Sequence, residues 1–270
     1  VIHLNANMRG SRKDNPEMEH ECEITVIDAN NESLERGSLF NLFKDVVGFV
    51  LFMHQQIPSI LEDLSLEFET LQAEKKTLEL EAGAHFLPRL RRQHMMKKRE
   101  NRQGIRKLDK LMQSINHFED ALKVLISQET KVGSVVFVLG SNPLRPFFAY
   151  ELSFSNPNDF TPGTCTDFSK SKAANALSKK VIRTLITNGA GSASYPGPSK
   201  IFFFVKASPC LNIPLHFTPK RDFKLSRKVN PFRIQINQKP NIVSINSNEL
   251  TWYQCRHVVK GLPLKASPEE

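Results

Sequence analysis

Leu39-Phe-Asn-Leu-Phe-Lys-Asp-Val-Val-Gly-Phe-Val-Leu-Phe-Met53 is the stretch that decides the fold. Only Asn41, Lys44 and Asp45 carry polar side chains there, and all three lie in its first half. An amphipathic surface helix keeps a polar stripe along its length, and this one loses its stripe after Asp45. A helix that is apolar all round is buried on every side or crosses a membrane. Fifteen residues fall short of the roughly 20 a bilayer needs, and Lys44-Asp45 would lie inside the span. The stretch is therefore expected to be the central helix of a soluble core. Ser38 is the expected N-cap, and Pro58 ends the segment because the residue before a proline avoids helical angles.

Around that helix the chain has 270 residues, 40% of them hydrophobic, enough for one large domain or two small ones. There is no run of 18 apolar residues, and residues 1–20 are polar and charged, so neither a membrane span nor a secretory signal is expected. Cys22, Cys165, Cys210 and Cys255 are far apart, which disfavours a disulfide framework or a zinc site and suits a reducing compartment. The net charge of +9 is uneven. Arg89–Lys110 holds ten Lys/Arg against two acids, whereas Glu62–Glu81 holds seven acids against two lysines. Lys206–Lys260 again holds ten basic residues against two acids. Such basic faces either meet nucleic acid or an acidic protein or are simply solvated.

Residues 1–21 lack periodicity and read as disordered, as does the tail 263–270. Cys22–Asp28 alternates as a short strand. A helical run over Ile60–Leu80 buries Leu61, Leu64, Phe68, Leu71 and Leu78 and exposes its acids. Ala82-Gly-Ala84 breaks it, and Arg89–Gly104 reads as an exposed loop or frayed helix. From Ile105 to Ile126, apolar residues spaced by three and four mark a regular amphipathic helix. Val135–Leu139 is a buried strand, rich in β-branched residues. Gly140–Pro146 supplies turn chemistry, and Phe148–Phe154 returns to close a hairpin. Ser171–Asn188 is a further long helix with Gly189 as C-cap and a core stripe of Ala174, Leu177, Val181 and Leu185. Ile182 and Ile186 sit on its shoulder beside Lys179 and Arg183, as either core edge or docking ridge. Strands follow at Ile201–Lys206, Ile213–Phe217, Phe232–Asn237, Ile242–Asn246 and Thr251–Val259. The fold class is α+β: three main helices packed on a mainly antiparallel sheet.

No catalytic, cofactor-binding or metal-ligating constellation stands out. Gly189–Gly197 lacks the Gly-Lys-Ser/Thr ending of a phosphate loop, and no Gly-x-Ser-x-Gly elbow or His-x-x-x-His pairing occurs. Cys255 and His257 share a strand face, yet the pair has no third, orienting group. The expectation is binding rather than catalysis.

Four motifs carry a resemblance. Leu139-Gly-x-Asn-x-Leu-x-Pro-x-x-x-Tyr150-Glu-Leu-x-x-Ser155 resembles the hairpin of the comet family of spindle-checkpoint silencing adaptors. Gln55-Gln-Ile-Pro58, Phe217-x-Pro-Lys-x-x-Phe223-Lys-Leu225 and Trp252-Tyr-Gln-x-x-x-x-x-Lys260-Gly-Leu262 are similar to the family's post-helix turn, late strand and C-terminal safety belt. Their order holds from about residue 22 to 262, which implies a single HORMA-like domain interrupted by an exposed charged insertion around 62–104. The resemblance implies an adaptor and not an enzyme. It would bind the closed form of a checkpoint HORMA protein of the mitotic-arrest-deficient-two type and deliver it to a Pch-two-type AAA+ ATPase. Conversion to the open form would then disassemble the mitotic checkpoint complex, in nucleus and cytoplasm and at the spindle or kinetochore in mitosis. The partner-binding positions it implies are Met53, Lys179, Ile182, Arg183, Ile186, Trp252, Tyr253 and Gln254. Met53 stands where the family usually has glutamine, and Ile182 where it has an aromatic.

Two other readings compete with it. One is a HORMA protein that captures a linear peptide beneath its own belt. The other is a nucleic-acid-binding protein that uses Arg89–Lys110, where only Phe86, at the edge, offers a ring for base stacking.

Overall fold

A computed structural model describes residues 24–29, 34–81, 88–128, 131–155, 168, 171–192, 197–226, 228–237 and 250–262. The segments expected to be disordered, 1–21 and 263–270, lie outside the described residues, as do the 82–84 break and the strand at 242–246. The elements run β1 (Ile24–Asp28), α1 (Arg36–Met53), α2 (Leu61–Leu80), α3 (Pro88–Gln128), β2 (Val132–Asn142), β3 (Arg145–Phe154) and α4 (Lys172–Thr187). They continue as β4 (Lys200–Ala207), β5 (Phe217–Pro219), β6 (Phe232–Asn237), β7 (Thr251–Cys255) and β8 (Val259–Lys260).

Eleven of the eighteen α1 residues are buried, among them Leu42, Phe43, Val46 and Val50 with no accessible surface. Its polar exceptions are satisfied. Asn41 donates to Gly37 O at 2.8 Å and to Phe168 O at 3.3 Å, and Lys44 pairs with Glu119 at 3.0 Å. The helix starts earlier than Ser38 predicts. Glu35 is the extended residue before it, and its carbonyl already accepts from Ser38 N and Leu39 N, so Ser38 lies inside the first turn, buried. Pro58 does not itself stop the helix. The chain turns at Gln55 (φ 53°), where Gln56 N donates back to Leu51 O at 2.8 Å, a closing pattern that leaves no orphan carbonyl there.

The sheet order is β1-β6-β3-β2-β4-β7-β5, with β8 also pairing β4. The expected mainly antiparallel sheet is mixed: β6 runs parallel to both β1 and β3, and the other five pairings are antiparallel. On β2, alternation sends Val135, Phe137 and Leu139 into the main core and Val136 and Val138 into a smaller cluster on the other face. Stripes from α1, α3 and α4 cover the first face, and α2 adds Leu61 and Leu64. On the second face Phe204 stacks on Phe223 with ring centroids 3.9 Å apart, and Trp252 meets Phe223 edge-on at 5.1 Å.

Two expected elements change. Ile213–Phe217 is not a strand: Pro214 has no N–H to give a ladder, Phe217 N donates to Ile213 O, and strand pairing begins only at Phe217. Thr251–Val259 is interrupted at residues 256–258, which separate β7 from β8.

The largest correction concerns Arg89–Gly104, which is no loop. It is the first half of α3, a 41-residue helix about 60 Å long at 1.5 Å per residue. Leu, Arg, Lys, Met, Gln and Glu all favour helix, and Pro88 stands at its first position, where no N–H is needed. Its contact with α2 is only partly apolar. Asn101, 4% exposed, donates to Leu71 O at 2.9 Å and to Glu74 Oε2 at 2.8 Å. At Gly104 a Cβ would stand 3.1 Å from Leu71, so glycine lets the two helices approach.

Phe43 meets Phe137, Phe154 and Phe203, with centroids 5.9 to 6.3 Å apart. Phe43→Ala should cost about 3–5 kcal/mol of unfolding free energy, measured by urea denaturation; a loss below about 1 kcal/mol would show that this junction is not the centre of the core.

Candidate functional site

The α4 helix is built as its sequence predicts. Ser171 is extended, and its hydroxyl accepts from Ala174 N at 3.1 Å. Gly189 adopts φ 84°, and Ala190 N donates to Leu185 O to close the helix. Ala174, Leu177, Val181 and Leu185 are buried. The two shoulder isoleucines differ: Ile182 is half-buried and packs on the core, whereas Ile186 is 50% exposed. Core edge describes Ile182; it does not account for Ile186.

Beside Ile182 a groove of about 270 Å³ runs between α1, the start of α2 and α4. Phe52 and Ile60, 41% and 45% exposed, flank it, and Lys179 and Glu62 stand on its rim. Its lining includes Ser178, 1% exposed, whose Oγ has no hydrogen-bond partner. Met53, at the end of α1, is half-buried beneath the α4–β4 connection: a Cβ on Gly191 would lie 2.6 Å from its Cε. Exposed Arg183 points elsewhere, lining a second depression of about 510 Å³ with Lys180, Thr25 and Asn188. That depression is where α4 is tied to β1: Lys180 Nζ donates to Asp28 O at 3.0 Å and Asn188 to Thr25 Oγ1 at 2.8 Å.

The structure does not gather the eight sequence-predicted positions into one site. α4 lies by α1 and β1, at one end of the strand order, whereas β7 is next to last at the other end. On β7 the residues divide further. Half-buried Trp252 faces the small cluster with Phe223, and Tyr253 turns into the main core, its hydroxyl donating to Ser208 O at 3.1 Å. Half-buried Gln254 sits in the sheet between Phe204 and Thr218.

Gln56 ties the C-terminal strands down. Buried completely, it accepts from Ser199 N at 2.6 Å and donates to Gly197 O at 3.0 Å and His54 O at 2.9 Å. Its own carbonyl accepts from Leu262 N at 2.7 Å, just beyond β8. Gly261 must be glycine here, because a Cβ would fall 2.4 Å from Gln56 Oε1 and 2.8 Å from its Cβ. Next to this turn, buried His54 bonds Tyr150 Oη at 2.5 Å and stacks on Phe148. Burial depresses its pKa to about 4.

Cys255 and His257 do not form a nucleophile and base. Burial pushes the Cys255 thiol up to about 12, so it stays protonated. The His257 ring is 2.8 Å from His216 Nδ1 and beside His117. Its pKa is lowered by burial first and then by those two neighbouring imidazoles, against the pull of Asp120. Among the described residues no group of three His, Cys, Asp or Glu side chains is arranged to hold a metal ion, and no helix is long and apolar enough to cross a membrane.

A scan against protein-family models finds no match, and a search of the curated proteins finds none either.

Sequence reasoning missed Phe52, Ile60 and Ser178. Phe52 was hidden in an all-apolar run, Ile60 stood just before a helix start, and a serine inside an amphipathic helix gives no signal. The hint for Gln56 was its place in the Gln55-Gln-Ile-Pro58 motif, which gave no sign that its side chain is a buried anchor.

Gln56→Ala would leave the Ser199 N–H and the Gly197 carbonyl without their partner. It should cost about 2–4 kcal/mol, with amide exchange rising first in β8. Gly261→Val should reproduce that loss through steric conflict, and unchanged exchange in either variant would rule out the anchor. His54 is neutral in the folded state and protonates in the unfolded chain below about 6.5. Stability is therefore full above that pH and falls as pH drops from 6.5 toward 4, the unfolded chain binding the extra proton. His54→Gln should flatten this part of the melting-temperature profile; an identical profile would refute it.

Proposed function

We propose that the protein is a HORMA-fold adaptor that acts by binding rather than by catalysis. Its partner is the closed form of a checkpoint HORMA protein of the mitotic-arrest-deficient-two type, which it presents to a Pch-two-type AAA+ ATPase for conversion to the open form. The outcome is disassembly of the mitotic checkpoint complex, in nucleus and cytoplasm and at the spindle or kinetochore during mitosis. The observation that carries the docking reading is Ile186, half exposed on a helix whose Leu177, Val181 and Leu185 are buried. Around it, half-buried Ile182 and the groove flanked by Phe52 and Ile60 give an apolar centre with Lys179 and Glu62 on its rim, and Arg183 lines the neighbouring depression. Such a surface buries apolar area on a partner while its rim charges fix orientation.

Three of the four family-like motifs support the same reading because two of them meet the third, the belt. Gln56 of the post-helix turn bonds the Lys260-Gly261-Leu262 end of the belt, and Phe223 of the late strand packs on Trp252. Motifs that are separately weak thus describe one physical device, a C-terminal segment held across the sheet. On this reading α4 is the docking element, and Tyr253 and Gln254 serve the belt's own closure. Peptide capture is less well supported, since β7 already has β4 on one side and β5 on the other.

The test is co-elution with the closed and the open partner. The wild-type chain should bind the closed form selectively. Ile186→Asp, at an exposed position, should weaken binding by about 2 kcal/mol or more, roughly 30-fold, while the melting temperature holds. Unchanged affinity with Ile186→Asp would remove α4 as the docking element, and equal binding to both partner forms would remove the adaptor function.

A further inference from the structure

We propose that the outer face of α3 between Arg89 and Lys110 is a binding surface for double-stranded nucleic acid, engaged through its phosphate backbone and without sequence preference. The inference is independent of the adaptor reading. As a loop, ten scattered cations would need no partner; as one straight helix, they are placed. At 100° per residue, Arg92, Arg99, Arg102, Arg106 and Lys110 recur at spacings of seven, three, four and four and share a face. Asn101, Leu108 and Met112, which are buried, occupy the opposite side. The stripe spans about 27 Å at 1.5 Å per residue, the axial length of about eight base pairs. Nine of the ten Lys/Arg between 89 and 110 are exposed, and Lys98 is half-buried.

These cations are also uncompensated. None of the ten makes an ion pair or a side-chain hydrogen bond with another described residue. Three of the nearby acids are engaged with other groups: Asp109 accepts from Gln113 at 2.9 Å, Glu74 from Asn101, and Glu81 lies 3.7 Å from His94, while Glu100 is turned about 100° around the helix from Arg99. Solution ions alone offset a row of like charges, and a phosphate backbone gains by releasing its own counterions to such a row.

Chemistry selects a duplex among polyanions. Six of the ten are arginines, whose planar fork matches phosphate oxygens. No Phe, Tyr or Trp lies between residues 88 and 110, so there is no platform for the stacking that single-strand binders use. The backbone of a duplex needs none. The continuous apolar stripe of α3 is turned onto α2 and the core, and the exposed Leu90, Met95 and Met96 fall on three different sides of the helix at about 100° per residue, so no apolar face is left to enter a lipid surface.

The test uses the full chain and a fluorescent duplex of about 25 base pairs of arbitrary sequence, read by anisotropy. Binding is expected, with affinity falling about 500-fold between 50 and 200 mM salt if five phosphates are neutralised. The triple variant Arg99→Glu, Arg102→Glu, Arg106→Glu should lose at least about 30-fold in affinity with helix content unchanged by circular dichroism. The triple lysine variant at the same positions should retain most binding. Absence of binding at 50 mM salt, or a glutamate variant that binds like wild type, would overturn the proposal. So would equal or tighter binding of polyglutamate, of phosphatidylserine-rich vesicles or of a single strand of the same length.

Discussion

The constraint on which the structure depends is that α1 has no polar stripe to present to water beyond Asp45, and there only Phe52, 41% exposed, is left largely uncovered. A helix with a polar stripe needs one neighbouring layer, and one without needs a full enclosure. The chain provides it from all directions: the sheet beneath through Phe137 and Phe203, α3 along one flank, α4 along the other, and the start of α2 over Gly48. Lys44 is tolerated because Glu119 of α3 meets it, and Asn41 because it bonds a main-chain carbonyl on either side. Each exception to apolarity thus falls where a neighbour supplies the missing partner.

That enclosure was legible where burial writes a periodic signal and illegible where contact is polar or backbone-mediated. Val135–Leu139 read as a strand because both its faces are buried, in two separate clusters, so the run is continuous instead of alternating. The first half of α3 stayed open between loop and frayed helix for the opposite reason. Much of its seam with α2 is made by His94, Asn101 and Gly104, which no hydrophobic pattern marks as core. Ile213–Phe217 misled because its residue types suit a strand, while Pro214 denies the ladder its donor.

The candidate site divides along the same line. The covered stripe of α4 could be read from its spacing, but the sequence put Ile182 and Ile186 on an equal footing. Only packing separates a side chain that completes the core from one left half in solvent. Trp252, Tyr253 and Gln254 are adjacent in sequence and face alternately across the sheet, so a surface containing all three was never available to a β-strand.

The turn at Gln56 links these parts physically. It lies at the end of α1, bonds both ends of the β4 entry through Gly197 and Ser199, and receives the chain just after β8. The path from α4 to the C-terminal strands is short: α4 closes at Gly189, Gly191 lies against Met53, and Met53 is three residues before Gln56. A partner that displaced Met53 would act on the same few residues that hold β8 in place. Several of the bonds there run through the fully buried side-chain amide of Gln56. The bonds that hold the end of β8 thus converge on Gln56, next to the α4–β4 connection and away from β7.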